Sequence, residues 1–425
     1  MGRTHVSDRK APPLLLVALL AGASLLPLLA LQARFRQLFW YGDEWHLLLE
    51  IDRGGFGPWL LAGFAENFCP VFKLVWGGAA LATGGSYPAM IGLCWLQHAC
   101  NVFLFGLLLR RWGFGSLSLA LCLLVFGLSS TNIETLAWSV QLSPLLSYGF
   151  FLLAALLFFQ ARADGSRWRV ALLSAAGLAS GLSFSRGVLS GPALAVLLVP
   201  RIGLDVRPRR RAALLAALLL PALAVAVAIR ALGRAHPQGF LPHDLTSWAA
   251  AARFAAVFYL YNPLARLFRP WSLHGPALAA LPILKIALVA VAFRISRGHA
   301  RPLLTFLIAF DLGNSALVGL GRYWTGLPDA ISSRYQYGTL LCLLPAAGLL
   351  LERYGGKLAP LVVACAALGA AARWPHDIAE WAASRGTRTR SLLAADPPSA
   401  GAPPNIPPLP DGVTPRQIAE RFKVH

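Results

Sequence analysis

Charge is what this chain lacks. Only 18 of its 425 residues are Asp or Glu, and charged residues of both signs together make up 13%, where an ordinary soluble domain carries about a quarter. A soluble globular fold is therefore excluded. With hydrophobic residues at 57% and a mean hydropathy of +0.60, most of the surface must face lipid. Cysteine is also scarce: of 6, Cys94, Cys100, Cys122, Cys342 and Cys365 fall in apolar runs, only Cys69 lies in a polar segment, and there is no CxxC pair. That excludes a disulfide framework and leaves the thiols as small packing residues. The histidines do not cluster, so no metal site and no cofactor is expected, with a need for a divalent metal left open.

What is abundant is apolar sequence in long runs, near 11–33, 88–109, 115–130, 142–160, 170–184, 188–200, 212–232, 276–293, 302–320, 336–351 and 358–372. These give about eleven candidate spans, some shorter than the roughly 20 residues a perpendicular helix needs. The expected fold is an all-α polytopic membrane helix bundle. The first run follows Arg3, Arg9 and Lys10 like a signal peptide, but its apolar core exceeds a signal sequence's, so it reads as a retained anchor. Runs 170–184 and 188–200 meet at Ser185-Arg186-Gly187, either as two short tilted helices or as one interrupted re-entrant element.

Basic residues set the orientation. With the N-terminus in the cytoplasm, the short basic loops at Arg110-Arg111, Arg162 to Arg169, Arg201 to Arg211, Arg294 to Arg301 and Arg353 to Lys357 all fall inside. The same distribution accounts for the net charge of +20, because the cations are spread over many loops instead of one face; no nucleic-acid partner is expected. In that topology Asp8, Asp164, Asp205 and Glu352 are the cytoplasmic acids, and the others lie outside or in the membrane.

Segments 34–87, 233–275 and 321–335, with a shorter one at 129–140, then project outward. The first holds Trp40, Tyr41, Trp45 and Trp59 among acids, the composition of helices lying in the membrane interface. Residues 1–372 form the membrane domain. Residues 373–425 form an external tail, with a Pro-rich linker from Asp396 to Asp411 and a short terminal helix signalled by Thr414-Pro415-Arg416-Gln417.

The scarce acids concentrate in that first loop: Asp43 and Glu44 side by side, then Glu50, Asp52 and Glu66. Acids clustered against a membrane point to function. The plainer reading is a capping carboxylate at the start of an interfacial helix, which requires one acid and not a pair.

Several motifs occur in the order found in a known group of enzymes. Gly42-Asp43-Glu44 resembles the acidic signature in the first external loop of the GT-C superfamily of integral-membrane glycosyltransferases, in particular its protein O-mannosyltransferase-like and related bacterial branch. Glu66-Asn67-Phe68-Cys69-Pro70-Val71-Phe72-Lys73-Leu74 resembles the motif that follows, and Leu96-Gln97-His98-Ala99-Cys100-Asn101 the next span. Asn132-Ile133-Glu134-Thr135-Leu136-Ala137-Trp138 is similar to the second external loop, the run Leu145 to Phe159 to the fourth span, and Ser333-Arg334-Tyr335-Gln336-Tyr337 to a late arginine-tyrosine motif. The resemblance covers about residues 11–372 and leaves the tail aside. Where relatives often carry a lysine and then an acid, this chain has Ser185-Arg186-Gly187, which leaves Arg186 as a substitute cation and no acid at position 187.

The resemblance implies a sugar moved from a polyprenyl-phosphate donor to an acceptor hydroxyl of a glycan, lipid or protein, on the external face of a bacterial-type inner membrane. Such a transfer needs a base for the acceptor proton and cations for the departing phosphate. Asp43 is the expected base, with Glu44 or Glu134 orienting the acceptor or tuning Asp43, since neighbouring carboxylates resist joint ionisation. Lys73, Arg186, Arg322 and Arg334 are the candidate phosphate-binding cations. Glu66, Asn67, His98 and Tyr335 are candidates to line the site, although His98 and Asn101, on one helical face, also read as a packing pair. Lys285 with Asp311 and Asn314 reads as a buried ion pair between helices. The rival functions are a flippase or transporter of lipid-linked substrates, which would place charges at mid-membrane, and a noncatalytic scaffold acting through its tail.

Overall fold

Lipid offers no partner to a backbone N–H or C=O, so a long apolar run must fold into a helix that satisfies itself. The computed structural model describes residues 12–64, 67–199, 204, 206–233, 241–268, 276–296, 300–387, 389–390 and 415–422. Among them there is no strand, and a single bridge between Phe64 and Asn67 is the sole extended pairing. Seven helical stretches are long and apolar enough to cross a membrane: Tyr87–Arg111, Ser116–Leu136, Ser139–Asp164, Pro208–Leu232, Pro276–Ile295, Ala300–Thr325 and Gly356–Thr387. The protein is accordingly an almost wholly helical, multi-pass membrane bundle.

The remaining apolar runs are shorter or broken. The first splits into Leu14–Ala23 and Leu26–Ala30, with Pro27 at the start of the second piece. Arg167–Ser183 and Gln336–Tyr354 are continuous helices of 17 and 19 residues. Run 188–200 becomes a 3-10 turn, a six-residue α-helix and a second 3-10 turn. Burial ranks the helices: 89% of the apolar window of Ser139–Asp164 is covered by protein against 17% for Pro276–Ile295, so the first is the hub and the second lies at the rim. Small residues let the first helix dock closely. A Cβ added at Gly106 would sit 2.6 Å from Val17, and one at Gly127 would sit 2.8 Å from Ser24.

The loops sort to two ends. At one, Arg110 donates to the Pro12 carbonyl, Gly115 N–H to the Glu352 carboxylate, and Arg210 to the Arg162 carbonyl, while Trp112 meets Phe159 edge-on at 4.5 Å. At the other gather the first loop, the second loop, the late turn at 327–335 and the C-terminal segment. There the first-loop tryptophans depart from the interfacial reading: Trp40, Trp45, Trp59 and Trp76 are 0–2% exposed and pack inward, Trp40 against Trp76 at 5.7 Å and against Tyr87 at 5.2 Å. Their apolar area goes to holding the loop's short helices, Asp43–Gly54, Phe56–Leu61 and Pro70–Ala82, as one rigid cap.

The tail joins that cap. Trp374 donates to the Leu128 carbonyl at 2.8 Å, and the helix Pro415–Arg421 packs against Asp43–Gly54 with Ile418 buried. The Pro-rich linker and Thr414 lie outside the described residues.

Candidate functional site

The adjacent acids separate as soon as a helix starts between them and the preceding turn. Gly42 takes φ +58, a conformation favouring glycine, and the helix Asp43–Gly54 then points Asp43 outward, exposed, and Glu44 inward, 0% exposed. Glu44 Oε2 accepts from Tyr41 N–H at 2.7 Å. Its Oε1 accepts from the Ser139 hydroxyl, from Val140 N–H at 3.3 Å and from the Tyr87 hydroxyl at 3.4 Å. Trp76 completes the group by donating to Ser139 Oγ at 2.9 Å. The plain capping role is thus present in the Tyr41 bond, but the other donors belong to the second loop and the next helix. Burial pushes the Glu44 carboxyl from 4.5 up to about 8, against the pull of Ser139, Tyr41 and Val140. The source of the rise is therefore burial.

Glu134 is held differently. It opens the short helix Ile133–Leu136, yet its Oε2 caps another element, accepting from Ser332 Oγ at 3.1 Å, Ser333 Oγ at 2.8 Å and Arg334 N–H at 3.3 Å. Its Oε1 accepts no hydrogen bond among the described residues. One oxygen is fixed and the other is available at the rim, where the residue is 9% exposed. Arg334 turns its guanidinium to Asp329, where Nη2 reaches both carboxylate oxygens at 2.7 and 2.6 Å.

The interrupted helix brings in Arg186. The helix Arg167–Ser183 ends where Phe184 goes extended, and Ser185–Leu189 turns in 3-10 form. A methyl group on Gly187 would overlap the Ser180 carbonyl, so no side chain has room at that position. Arg186, 6% exposed, donates Nη1 to the Tyr148 hydroxyl at 3.1 Å and lies 5.7 Å from the Tyr335 ring. Arg334 lies over the same ring at 5.1 Å, and Arg322 is near enough to act on Tyr335 electrostatically. Two of these guanidiniums keep a buried N–H without a partner among the described residues, Nε of Arg186 and Nε of Arg334.

Four segments distant in sequence thereby close into a ring. The first loop meets the second through Glu44 and through Trp138, whose indole donates to the Tyr41 carbonyl at 3.2 Å. The second meets the late turn through Glu134, and the late turn meets the interrupted helix through Tyr335 and Arg186. The interrupted helix returns to the first loop where Ser185 N–H donates to Asn67 Oδ1 at 3.3 Å. Asp43, Glu44, Asn67, Glu134, Arg186, Arg334 and Tyr335 are all carried by these segments, and Arg322 ends the helix Ala300–Arg322 that leads to the late turn.

Other expected site residues stand apart. Lys73 is 0% exposed and donates to the carbonyls of Trp59 at 2.8 Å and Ala62 at 2.9 Å, its ammonium 4.9 Å from the Trp59 ring. It fastens the first loop to itself. His98 is sealed inside the bundle: its Nε2 faces the Gly127 carbonyl at 3.1 Å, which requires a proton there, so Nδ1 accepts from the Tyr337 hydroxyl at 2.9 Å. Asn101 donates to that same hydroxyl at 3.1 Å, so the two residues meet through Tyr337. Lys285 and Asp311 form the expected ion pair at 2.9 Å, closed off by the Tyr259 and Asn262 carbonyls. Glu66 lies outside the described residues.

Sequence reasoning missed Arg385. It sits in a π-helical turn, Ala382–Thr387, with its guanidinium 3.3 Å from the Trp381 ring, 4.2 Å from Tyr41 and 6.0 Å from Trp138. The signal was the pair Trp381 and Arg385, four apart near the end of the stretch Gly356–Thr387. No group of three or more His, Cys, Asp or Glu among the described residues could hold a metal. No family model matches the chain, and no curated protein or solved structure matches it either.

Proposed function

We propose that this protein is a GT-C-like membrane glycosyltransferase with about eleven spans, which moves a sugar from a polyprenyl-phosphate donor to an acceptor hydroxyl on the external face of a bacterial-type inner membrane. The observation that carries the proposal is the ring itself. Carboxylates and guanidiniums from four segments face one end of the bundle, and two of the guanidiniums hold a buried donor in reserve. A base and a cluster of arginines are what the transfer requires. Asp43 takes the acceptor proton. Glu134, with Oε2 pinned and Oε1 open, orients the acceptor hydroxyl, and Glu44, whose four bonds occupy both oxygens, positions the helix that carries Asp43. Arg186, Arg322 and Arg334 receive the phosphate as charge grows on the departing oxygen. The gathering of the basic loops at the opposite end supports placing that end in the cytoplasm.

The test is steady-state transfer by purified enzyme. Asp43→Asn is expected to cut kcat by about a hundredfold or more, as loss of a general base does, with donor KM little changed. Equal kcat in the variant would remove Asp43 from the role. A second reading, transport of a lipid-linked substrate, draws on Asn314, fully buried beside Asp311 with neither amide atom partnered among the described residues. Donor lipid crossing leaflets without sugar transfer would favour it.

A further inference from the structure

Arg385 is the least committed cation at the site end. Arg334 already commits one nitrogen to Asp329 and Arg186 one to Tyr148, and Arg390 faces the carbonyls of Arg36, Gln37 and Leu38 at 3.4–3.5 Å. The Arg385 side chain donates no hydrogen bond among the described residues, and its Nη1 is shut away from solvent with nothing to receive it. Its plane is nonetheless fixed, stacked on Trp381 and flanked by Tyr41 and Trp138. The turn that carries it is fixed as well: the Gly386 backbone presses so closely on the Gln37 carbonyl that no Cβ fits. A guanidinium with donors unspent costs free energy to bury, and orienting it on aromatic rings makes sense when an anion completes it.

The neighbours narrow the occupant. Arg385 senses Glu134 and Glu44 electrostatically. Glu44 carries its proton up to about pH 8, so it offers little countercharge. Tyr41 immediately precedes the Gly42-Asp43-Glu44 turn, and Trp138 ends the Glu134 loop, so the open donors lie between the two acidic loops of the ring. We infer that Arg385, supplied by the C-terminal segment, is a phosphate-binding residue of this site, taking the phosphate of the lipid donor in its unspent N–H groups as the sugar–phosphate diester becomes the departing polyprenyl phosphate monoester. The inference rests on the glycosyltransferase reading and adds to it a role for the turn at Ala382–Thr387.

Binding, measured apart from turnover, tests it. Trp381 and Trp138 flank Arg385, so intrinsic fluorescence of the full chain in nanodiscs can follow titration with geranyl phosphate, with geraniol and inorganic phosphate as separate arms. Wild type is expected to bind geranyl phosphate well above geraniol. Arg385→Met, which keeps the apolar stem, is expected to weaken geranyl phosphate about tenfold or more and leave geraniol unchanged; Arg385→Lys, which keeps charge without the fork, falls between. Inorganic phosphate competing as strongly as geranyl phosphate would make free phosphate the ligand and overturn the lipid assignment. Unchanged affinity in Arg385→Met, or equal loss for phosphate and alcohol, would reduce Arg385 to packing and overturn the inference alone. No binding of geranyl phosphate by wild type would sink the donor reading and this inference together. If Arg385→Met melts early, the Lys variant decides by the same criteria.

Discussion

Glu44 gives the sharpest quantitative test of the site's construction. Its carboxyl is raised from 4.5 to about 8 by burial. In that window the folded protein holds a proton that the unfolded chain has released. Stability from this group is therefore fully present below about pH 4.5 and is lost as pH rises through about 8. The total is roughly 5 kcal/mol, near 1.4 kcal/mol for each pH unit crossed. Thermal or denaturant unfolding in nanodiscs between pH 5 and pH 9 should show wild type weakening with pH. Glu44→Gln removes the titration and keeps the shape, so the wild-type minus Gln difference should slope downward and flatten above about pH 8. Glu44→Ala should be worse than Gln at every pH, by about 3–5 kcal/mol, because it orphans Tyr41 N–H, Val140 N–H and the Ser139 hydroxyl. Parallel pH curves for wild type and Glu44→Gln would refute the claim that this carboxyl is buried and protonated in the folded state.

Other consequences follow from geometry. Replacing Lys285 alone by Met should cost about 3–5 kcal/mol by stranding Asp311, whereas Lys285→Met with Asp311→Leu should be near neutral; a double variant as unstable as the single would mean that the pair contributes net stability. Gly187→Ala should destabilise by about 1–3 kcal/mol through its clash with the Ser180 carbonyl, and unaltered melting would show that the interrupted helix can relax. Ser332→Ala with Ser333→Ala leaves Glu134 Oε2 only its Arg334 N–H bond. It should raise acceptor KM severalfold with donor KM unchanged, and a donor effect instead would move Glu134 to the phosphate side.

Composition and apolar runs made the helical membrane bundle legible, because lipid leaves a chain so poor in charge little alternative. The length of individual helices was less legible: run 188–200 is as apolar as its neighbours, yet Gly187 and Gly191 allow backbone contacts that break it into 3-10 turns. Asp43-Glu44 was visible as a pair, but only the helix start at Gly42 decides which acid faces inward. Lys73 was legible as a first-loop cation, but its burial against the Trp59 and Ala62 carbonyls depends on how that loop folds back on itself. Lys285 with Asp311 was readable because two mid-span charges must pair. Arg385 was not, because its meaning comes from Tyr41 and Trp138, more than two hundred residues away in sequence.

The central claim is transfer of sugar from a lipid phosphate at the ring of acids and arginines. Its most direct measurement is transfer in proteoliposomes from a panel of radiolabelled polyprenyl-phosphate sugars, comparing wild type with an equally folded Asp43→Asn. The account predicts transfer from at least one donor by wild type and its collapse in the variant. Absence of transfer from every donor, with labelled lipid moving between leaflets, would contradict it and make the protein a transporter.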